Sequence, residues 1–301
     1  MTTTGPLTAA TAYSREVLDL FHDYVHGAID RRGFLAQAAV YTGSAAGATA
    51  LLSALSPDFA RGQVIKPEDK RIVISSVTIP SPKGNGTVKI YIAKPAKPKA
   101  KKLPVIIVAH ENRGLNPHIE DIARRLAVEG FIALAPDALT TVGGYPGDED
   151  KARDLFSKLD RPKITEDFVA AAHYALTLPD GTGKLGTTGF CFGGGIANQL
   201  AVLIPQIKAS APFYGGPPPL ELVPNMQAEL LANYGGNDTN TNKNWPPYEE
   251  ALKKAGKAYH VYFYEGAEHG FNNDTTPRFK KDAADLAWSR TMELFRRKLL
   301  A

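Results

Sequence analysis

The chain has 301 residues, 44% of them hydrophobic and 22% charged, which is ordinary for a globular protein with one large core. A net charge of +4, from 35 basic against 31 acidic residues, marks no nucleic-acid-binding surface. The one dense basic stretch, "KPAKPKAKK" at 94–102, is proline-rich and reads as a solvated loop. A single cysteine excludes an intramolecular disulfide framework and leaves the redox compartment unassigned.

Residues 1–65 differ in character from the rest of the chain. Val17, Leu18, Phe21, Tyr24 and Val25 recur with the helical period, which predicts an amphipathic helix. Arg31 and Arg32 then precede Gly33, Phe34, Leu35 and a mildly apolar stretch to residue 55 rich in Ala, Gly, Ser and Thr. That pattern resembles a twin-arginine export signal. Against it, the segment before the arginines is long, and Ala60, the candidate cleavage position, has no small residue two places before it. Two readings stand side by side: an export signal on a periplasmic or secreted protein, or a structural helical arm on a cytoplasmic one. The stretch has too little aliphatic bulk for stable membrane insertion.

From residue 71 the pattern alternates. "RIVISSVTI" and "TVKIYIA" are β-branched runs joined through "KGNG", a hairpin signal. "LPVIIVAHE" is almost wholly apolar, as in a strand buried on both faces. "HIEDIARRLAVEG" places Ile119, Ile122, Leu126 and Ala127 on one helical face and ends at Gly130. "FIALAPD" is a strand, and helical stretches follow near 150–160 and 164–178. "KLGTTGF" (strand), "GGIANQLAVLI" (helix), "IKASAPFY" and "AELLANYG" (strands), "PYEEALKKAG" (helix), "YHVYFYE" (strand) and a long final helix complete the chain. Such alternation predicts an α/β fold: a mostly parallel sheet flanked by helices, the opening hairpin adding antiparallel strands at one edge.

Gly189-Phe190-Cys191-Phe192-Gly193 lies between a strand and a helix and fits G-x-S-x-G with cysteine in place of serine. That turn lifts a nucleophile above the sheet edge, and its glycines admit backbone where a side chain would clash. The N–H groups that follow open a helix, where they can favour a thiolate and hold an oxyanion. No G-K-[ST] follows the glycines, so they do not read as a phosphate loop. A nucleophile elbow requires an acid after a later strand and a histidine after the last one. Asp238 in "NYGGNDTN" and His269 in "EGAEHGF" occupy those places; Asp274 and Glu268 are the competing acids, both crowding the histidine loop. His110, at a strand end, is a neighbour of the site rather than its base.

The set "VIIVAHENRGLNPHIEDIARRLAVEGFIALAPD", "GFCFGGG", "NDT" and "EGAEHGF", spanning 71–301, resembles the dienelactone hydrolase (carboxymethylenebutenolidase-like) family of α/β-hydrolases. The resemblance implies an α/β-hydrolase domain over 66–301 behind an N-terminal segment over 1–65. It implies a carboxylic ester hydrolase that cleaves a small ester or lactone through an acyl-cysteine, with Cys191, His269 and Asp238 as triad. Glu111, in "HE", would help deprotonate the thiol when substrate arrives, and the N–H groups of Phe192 and Asn112 would form the oxyanion hole.

One departure separates the chain from that pattern. Where the family holds a substrate carboxylate with an arginine shortly after the histidine, "HGFNNDTTPRF" has Asn272, Asn273 and Asp274, with Arg278 farther on. The fold and chemistry therefore carry over, and the dienelactone substrate does not. Tyr145, Tyr214, Trp245 and Phe271, with Arg278, are the candidate substrate-binding residues, and the Phe192 ring is a further candidate wall. No cofactor motif and no metal-ligand pattern is present. The partner expected is a small ester or lactone, with no nucleic acid, and the oligomeric state is left open. A thioesterase or general carboxylesterase of the same fold, a thiol redox sensor and a non-catalytic binding scaffold are the alternative readings.

Overall fold

The computed structural model describes residues 13–300; the first twelve positions of the expected N-terminal segment lie outside the described residues. One eight-stranded sheet organises the chain. β1 (Ile72–Ser81) and β2 (Gly86–Pro95) form the expected antiparallel hairpin, with Ile79 opposite Val88. β3 (Leu103–Ala109), β4 (Ile132–Asp137), β5 (Gly181–Phe190), β6 (Ile207–Phe213), β7 (Glu229–Gly235) and β8 (Tyr259–Tyr264) follow. The spatial order is β1-β2-β4-β3-β5-β6-β7-β8, antiparallel between β2 and β4 and parallel from β4 to β8. Every residue of β3 and β4 is buried, as an apolar run covered on both faces must be. Because β3, β5, β7 and β8 run parallel, the loops at their carboxyl ends share one rim, where ligands bind in such sheets.

Among the described residues four helices precede the sheet: α1 (Arg15–His26), α2 (Arg31–Thr42), α3 (Ala45–Leu55) and the single turn α4 (Phe59–Gly62). α1, α2 and α3 bury a small apolar core of their own, including Leu18, Phe21, Phe34, Ala38, Leu52 and Leu55. Asp30 caps α2 by accepting the Gly33 N–H at 2.7 Å, and Arg31 pairs with Asp150 at 2.9 Å. The segment after α3 is tied to the sheet domain: Asp58 N–H donates to the Thr275 carbonyl at 2.7 Å, and the Val64 and Ile65 N–H groups donate to the buried Asp121 carboxylate. Among the described residues no single helix is long and apolar enough to cross a membrane; α2 and the helical stretch 45–62 meet the length and composition together, bent by 110°.

The remaining helices cover the two faces of the sheet. α5 (Pro117–Val128) starts at Asn116, whose side chain accepts the Ile119 N–H, and buries Ile119, Ile122 and Leu126. α6 (Glu149–Ser157), α7 (Arg161–Thr177) and α8 (Phe192–Leu203) pack on the opposite face through Phe156, Ile164, Phe168, Ile196 and Leu200. The turn α9 (Thr239–Asn242) and α10 (Trp245–Lys254) follow β7, and α11 (Lys281–Leu299) returns to lie with α5 through Phe295 and Leu299.

Candidate active site

Cys191 sits between β5 and α8 with φ 56° and ψ −116°, a left-handed-side conformation that a side chain rarely adopts. Close backbone approach enforces it. A Cβ on Gly189 would lie 2.1 Å from the Gly193 carbonyl oxygen, and one on Gly193 would lie 2.1 Å from that of Ala109. Only glycine lets the start of α8 rest against the end of β3. The Cys191 N–H donates to the Phe213 carbonyl at 3.1 Å, and its own carbonyl accepts from Gly194 and Gly195. The thiol therefore stands at the amino end of α8. The Phe192 ring turns away from the rim, edge-on to Phe156 with 4.9 Å between centroids and under the Arg161 guanidinium at 4.8 Å. Phe192 thus offers the site its N–H, which as the first helical residue has no acceptor within the helix.

His269 follows β8, and Asp238 follows β7. The His269 Nδ1–H donates to Asp238 Oδ2 at 2.6 Å, while Asp238 Oδ1 accepts the Thr241 N–H at 3.1 Å and so caps α9. Burial alone would depress the His269 pKa. The nearby Cys191 charge and the Asp238 hydrogen bond outweigh it and push the imidazole up to about 10. Burial likewise opposes ionisation of Asp238, but the bond from His269 holds its carboxyl below the usual range. Nε2 of His269 is buried without a hydrogen-bond partner, and one ring nitrogen lies within 4.8 Å of the Cys191 sulfur. The competing acids are engaged elsewhere: Asp274 pairs with Arg125 at 2.6 Å and His118 at 3.4 Å, and Glu268 with Arg15 at 3.1 Å.

Glu111 stands just past β3 and accepts one amide bond, from Asn273 Nδ2 at 3.2 Å. Neither nearby arginine takes it. Arg113 pairs with Glu149 at 3.0 Å, and Arg124 bonds the Ile65 carbonyl and the Tyr91 hydroxyl. His110 anchors the backbone beneath: its Nε2 accepts the Ala138 N–H, so Nδ1 carries the proton and donates to the Glu111 carbonyl at 2.6 Å. Burial drives this histidine's pKa down, consistent with a neutral, structural ring.

A cavity of about 340 Å³ opens over Cys191, with Glu111, Asn112, Tyr145, His269 and Arg278 in its wall. Tyr145 lines it with its hydroxyl on Glu149 at 2.9 Å. Arg278 reaches the cavity despite its distance from His269 in sequence, because the 270–279 loop folds back under Gly270. Its guanidinium is buried, lies 5.4 Å from the centre of the Phe21 ring, and keeps Nε and Nη1 without acceptors. Three other expected wall residues are placed differently. Trp245 packs among Tyr234, Tyr248 and Tyr259, away from the cavity, because α10 buries it in the core. Phe271 is fully buried against Phe213, Tyr214 and Tyr264. Tyr214, with φ 40°, lies behind His269 at 4.8 Å between rings and supports it rather than facing the cavity.

The feature missed in the sequence is the roof. Phe21, Tyr24, Val25 and His26 of α1 line the same cavity. The Asn112 side chain donates to the Val25 carbonyl at 3.1 Å, Arg153 donates to the Tyr24 carbonyl at 3.0 Å, and the Tyr24 hydroxyl bonds Asp150. His22 and His26 lie edge-on to His269, with centroids 5.4 and 4.8 Å away. Burial and the positive charge of His269 lower the His22 pKa to about 4 and drive that of His26 far below its ordinary value. The amphipathic period of α1 and its two histidines one turn apart were the available signal.

A parallel sheet with a strained elbow at the end of β5, and an acid and a histidine at the ends of β7 and β8, defines an α/β-hydrolase. The model of the dienelactone hydrolase family matches residues 88–299, and a second, described as YqhI-like, matches residues 6–42. A Synechocystis protein named as a carboxymethylenebutenolidase is 32% identical over 244 residues, 75% of this chain and 98% of its own length. The Escherichia coli hydrolase fragment YghX is 51% identical over 113 residues, 38% of this chain and 96% of the fragment. A Klebsiella pneumoniae crystal structure described as a dienelactone hydrolase superposes with a TM-score of 0.65 at 28% identity, covering 75% of this chain and 99% of the other. The chain belongs to the dienelactone hydrolase family, and it is a hydrolase of the class that acts on esters and lactones.

Proposed function

We propose that the protein hydrolyses a small ester or lactone through a covalent acyl-cysteine, using Cys191, His269 and Asp238. The observation that carries this reading is the 2.6 Å bond from His269 to Asp238 beside a cysteine held at positive φ on the same rim. The Cys191 sulfur attacks the carbonyl carbon, and the oxyanion that forms is received by the N–H groups of Phe192 and Asn112. As substrate enters, Glu111 assists as a base and relays the thiol proton to His269, which delivers it to the leaving oxygen as the C–O bond breaks. Water then attacks the thioester, His269 accepts its proton, and the sulfur departs as thiolate, which regains the proton from His269. Arg278, with two donors unpaired in the cavity wall, supports a substrate carrying an anionic group. Residues 13–65 act as an integral arm of the enzyme, since α1 closes the cavity.

The test is turnover of p-nitrophenyl acetate by the full chain and by Cys191→Ala. The variant is expected to lose hydrolysis and keep its circular dichroism spectrum and melting temperature. Turnover at the wild-type rate by the folded variant overturns the assignment.

A further inference from the structure

His22 and His26 stand one turn apart on α1 with ring centroids 4.2 Å apart, and the proposed hydrolytic steps use neither. Docking of the arm nevertheless brings a donor atom of His26, the Cys191 sulfur and a ring nitrogen of His269 within 4.8 Å of one another. We propose that His26, Cys191 and His269 form a site for a thiophilic divalent cation of the zinc class, and that its occupancy reversibly blocks the nucleophile. The consequence for activity rests on the proposed role of Cys191; the site itself rests only on where the three donors lie.

The donor set selects the cation. One sulfur and two imidazole nitrogens suit zinc-class metals, whereas magnesium and calcium seek oxygen. His269 is already oriented for the task. Its Nδ1–H is held by Asp238 at 2.6 Å, which leaves Nε2 as the ligating atom once its proton is displaced, and this atom is buried, without a partner, in a residue only 7% exposed. A carboxylate behind a ligating histidine is the arrangement that fixes ring and tautomer in metal sites. Tetrahedral zinc, with bonds of about 2.3 Å to sulfur and about 2.0 Å to nitrogen, separates its donors by about 3.5 Å. The three donors already lie within 4.8 Å of one another, so closing to that separation needs side-chain shifts of only about 1 Å. The cavity that His26, Cys191 and His269 all line has room for a water as fourth ligand.

The surrounding charges allow a cation. Glu111 and Asp238 attract it, Arg278 opposes it, and Arg113 is neutralised by Glu149 at 3.0 Å. Coordination uses the thiolate and two neutral rings, so the proton shared by Cys191 and His269 leaves to solvent. The arm thereby supplies the ligand that distinguishes a three-donor site from an ordinary cysteine–histidine pair.

The test titrates chelator-stripped full-length protein with Co²⁺, a spectroscopic substitute for Zn²⁺. One equivalent is expected to give a sulfur-to-cobalt absorption band that Zn²⁺ displaces. Cys191→Ser should abolish the band. His26→Ala and His26→Gln should each weaken Co²⁺ binding at least about tenfold, and His22→Ala should change it less than about threefold. Zn²⁺ should protect Cys191 from iodoacetamide, and chelator should restore alkylation. A folded wild type without the band, or affinity undiminished in both His26 variants, overturns the site. Should His26→Ala disturb the arm, seen by circular dichroism, His26→Gln decides. Because the band needs no turnover, protein that shows it yet hydrolyses no ester overturns the hydrolytic reading alone; hydrolysis without the band overturns this one alone.

Discussion

Replacing Asp238 with Asn tests the proposed triad through two hydrogen bonds that compete for one side chain. Oδ1 accepts the Thr241 N–H at 3.1 Å, and Oδ2 accepts from His269 Nδ1 at 2.6 Å. An asparagine that keeps its oxygen on the Thr241 N–H must turn its NH₂ toward Nδ1. Nδ1 then becomes an acceptor, the ring proton moves to Nε2, and Nε2 can no longer take a proton on the Cys191 side. The flipped amide restores the productive tautomer but sets its NH₂ against the Thr241 N–H. Leaving that buried donor unpaired costs about 1–3 kcal/mol, a roughly 5- to 150-fold smaller productive population. Loss of the negative charge that stabilises the imidazolium adds to this, so kcat is expected to fall by about 10³–10⁴-fold with a much smaller change in KM. Steady-state hydrolysis of p-nitrophenyl acetate measures both constants. A kcat within about threefold of wild type refutes the proposed role and moves it to another carboxylate, Glu268 or Asp274 first.

Glu111→Gln keeps a side chain of the same size beside the Asn273 amide, and is expected to lower ester turnover by about 10²-fold or more while iodoacetamide alkylation of the resting enzyme stays level or rises. Glu120→Gln on α5 is the control; parallel loss of turnover and alkylation in Glu111→Gln would make that residue a structural partner only. Arg278→Met is expected to reduce kcat/KM about 10- to 100-fold for an ester bearing a carboxylate, the worth of about 1.5–3 kcal/mol for a charged hydrogen bond, and less than about threefold for a neutral ester. Equal losses on both substrates would show that Arg278 supports the loop and not the substrate.

Much of this protein is legible in its sequence. The eight strands and the long helices of the sheet domain follow from hydrophobic period and turn chemistry, which neighbouring residues encode. The elbow at Cys191 is equally local, because three adjacent backbone segments can meet there only if Gly189 and Gly193 carry no Cβ. Asp238 and His269 are marked as candidates by chain order, since parallel strands send every carboxyl-end loop to one rim. What tertiary structure decided was which groups converge above that rim. Trp245 and Phe271 carry the same aromatic signature as a pocket wall, yet α10 and the β6–β8 core bury them elsewhere. Arg278 enters the cavity through the path of an irregular loop. Only the folded arm lays α1 across the cavity and carries His26 to the thiol. Its docking depends on many weak contacts between elements far apart in sequence, among them Arg15 with Glu268, Arg31 with Asp150 and Asn112 with Val25. No local pattern encodes such pairings, because each partner alone is an ordinary surface residue.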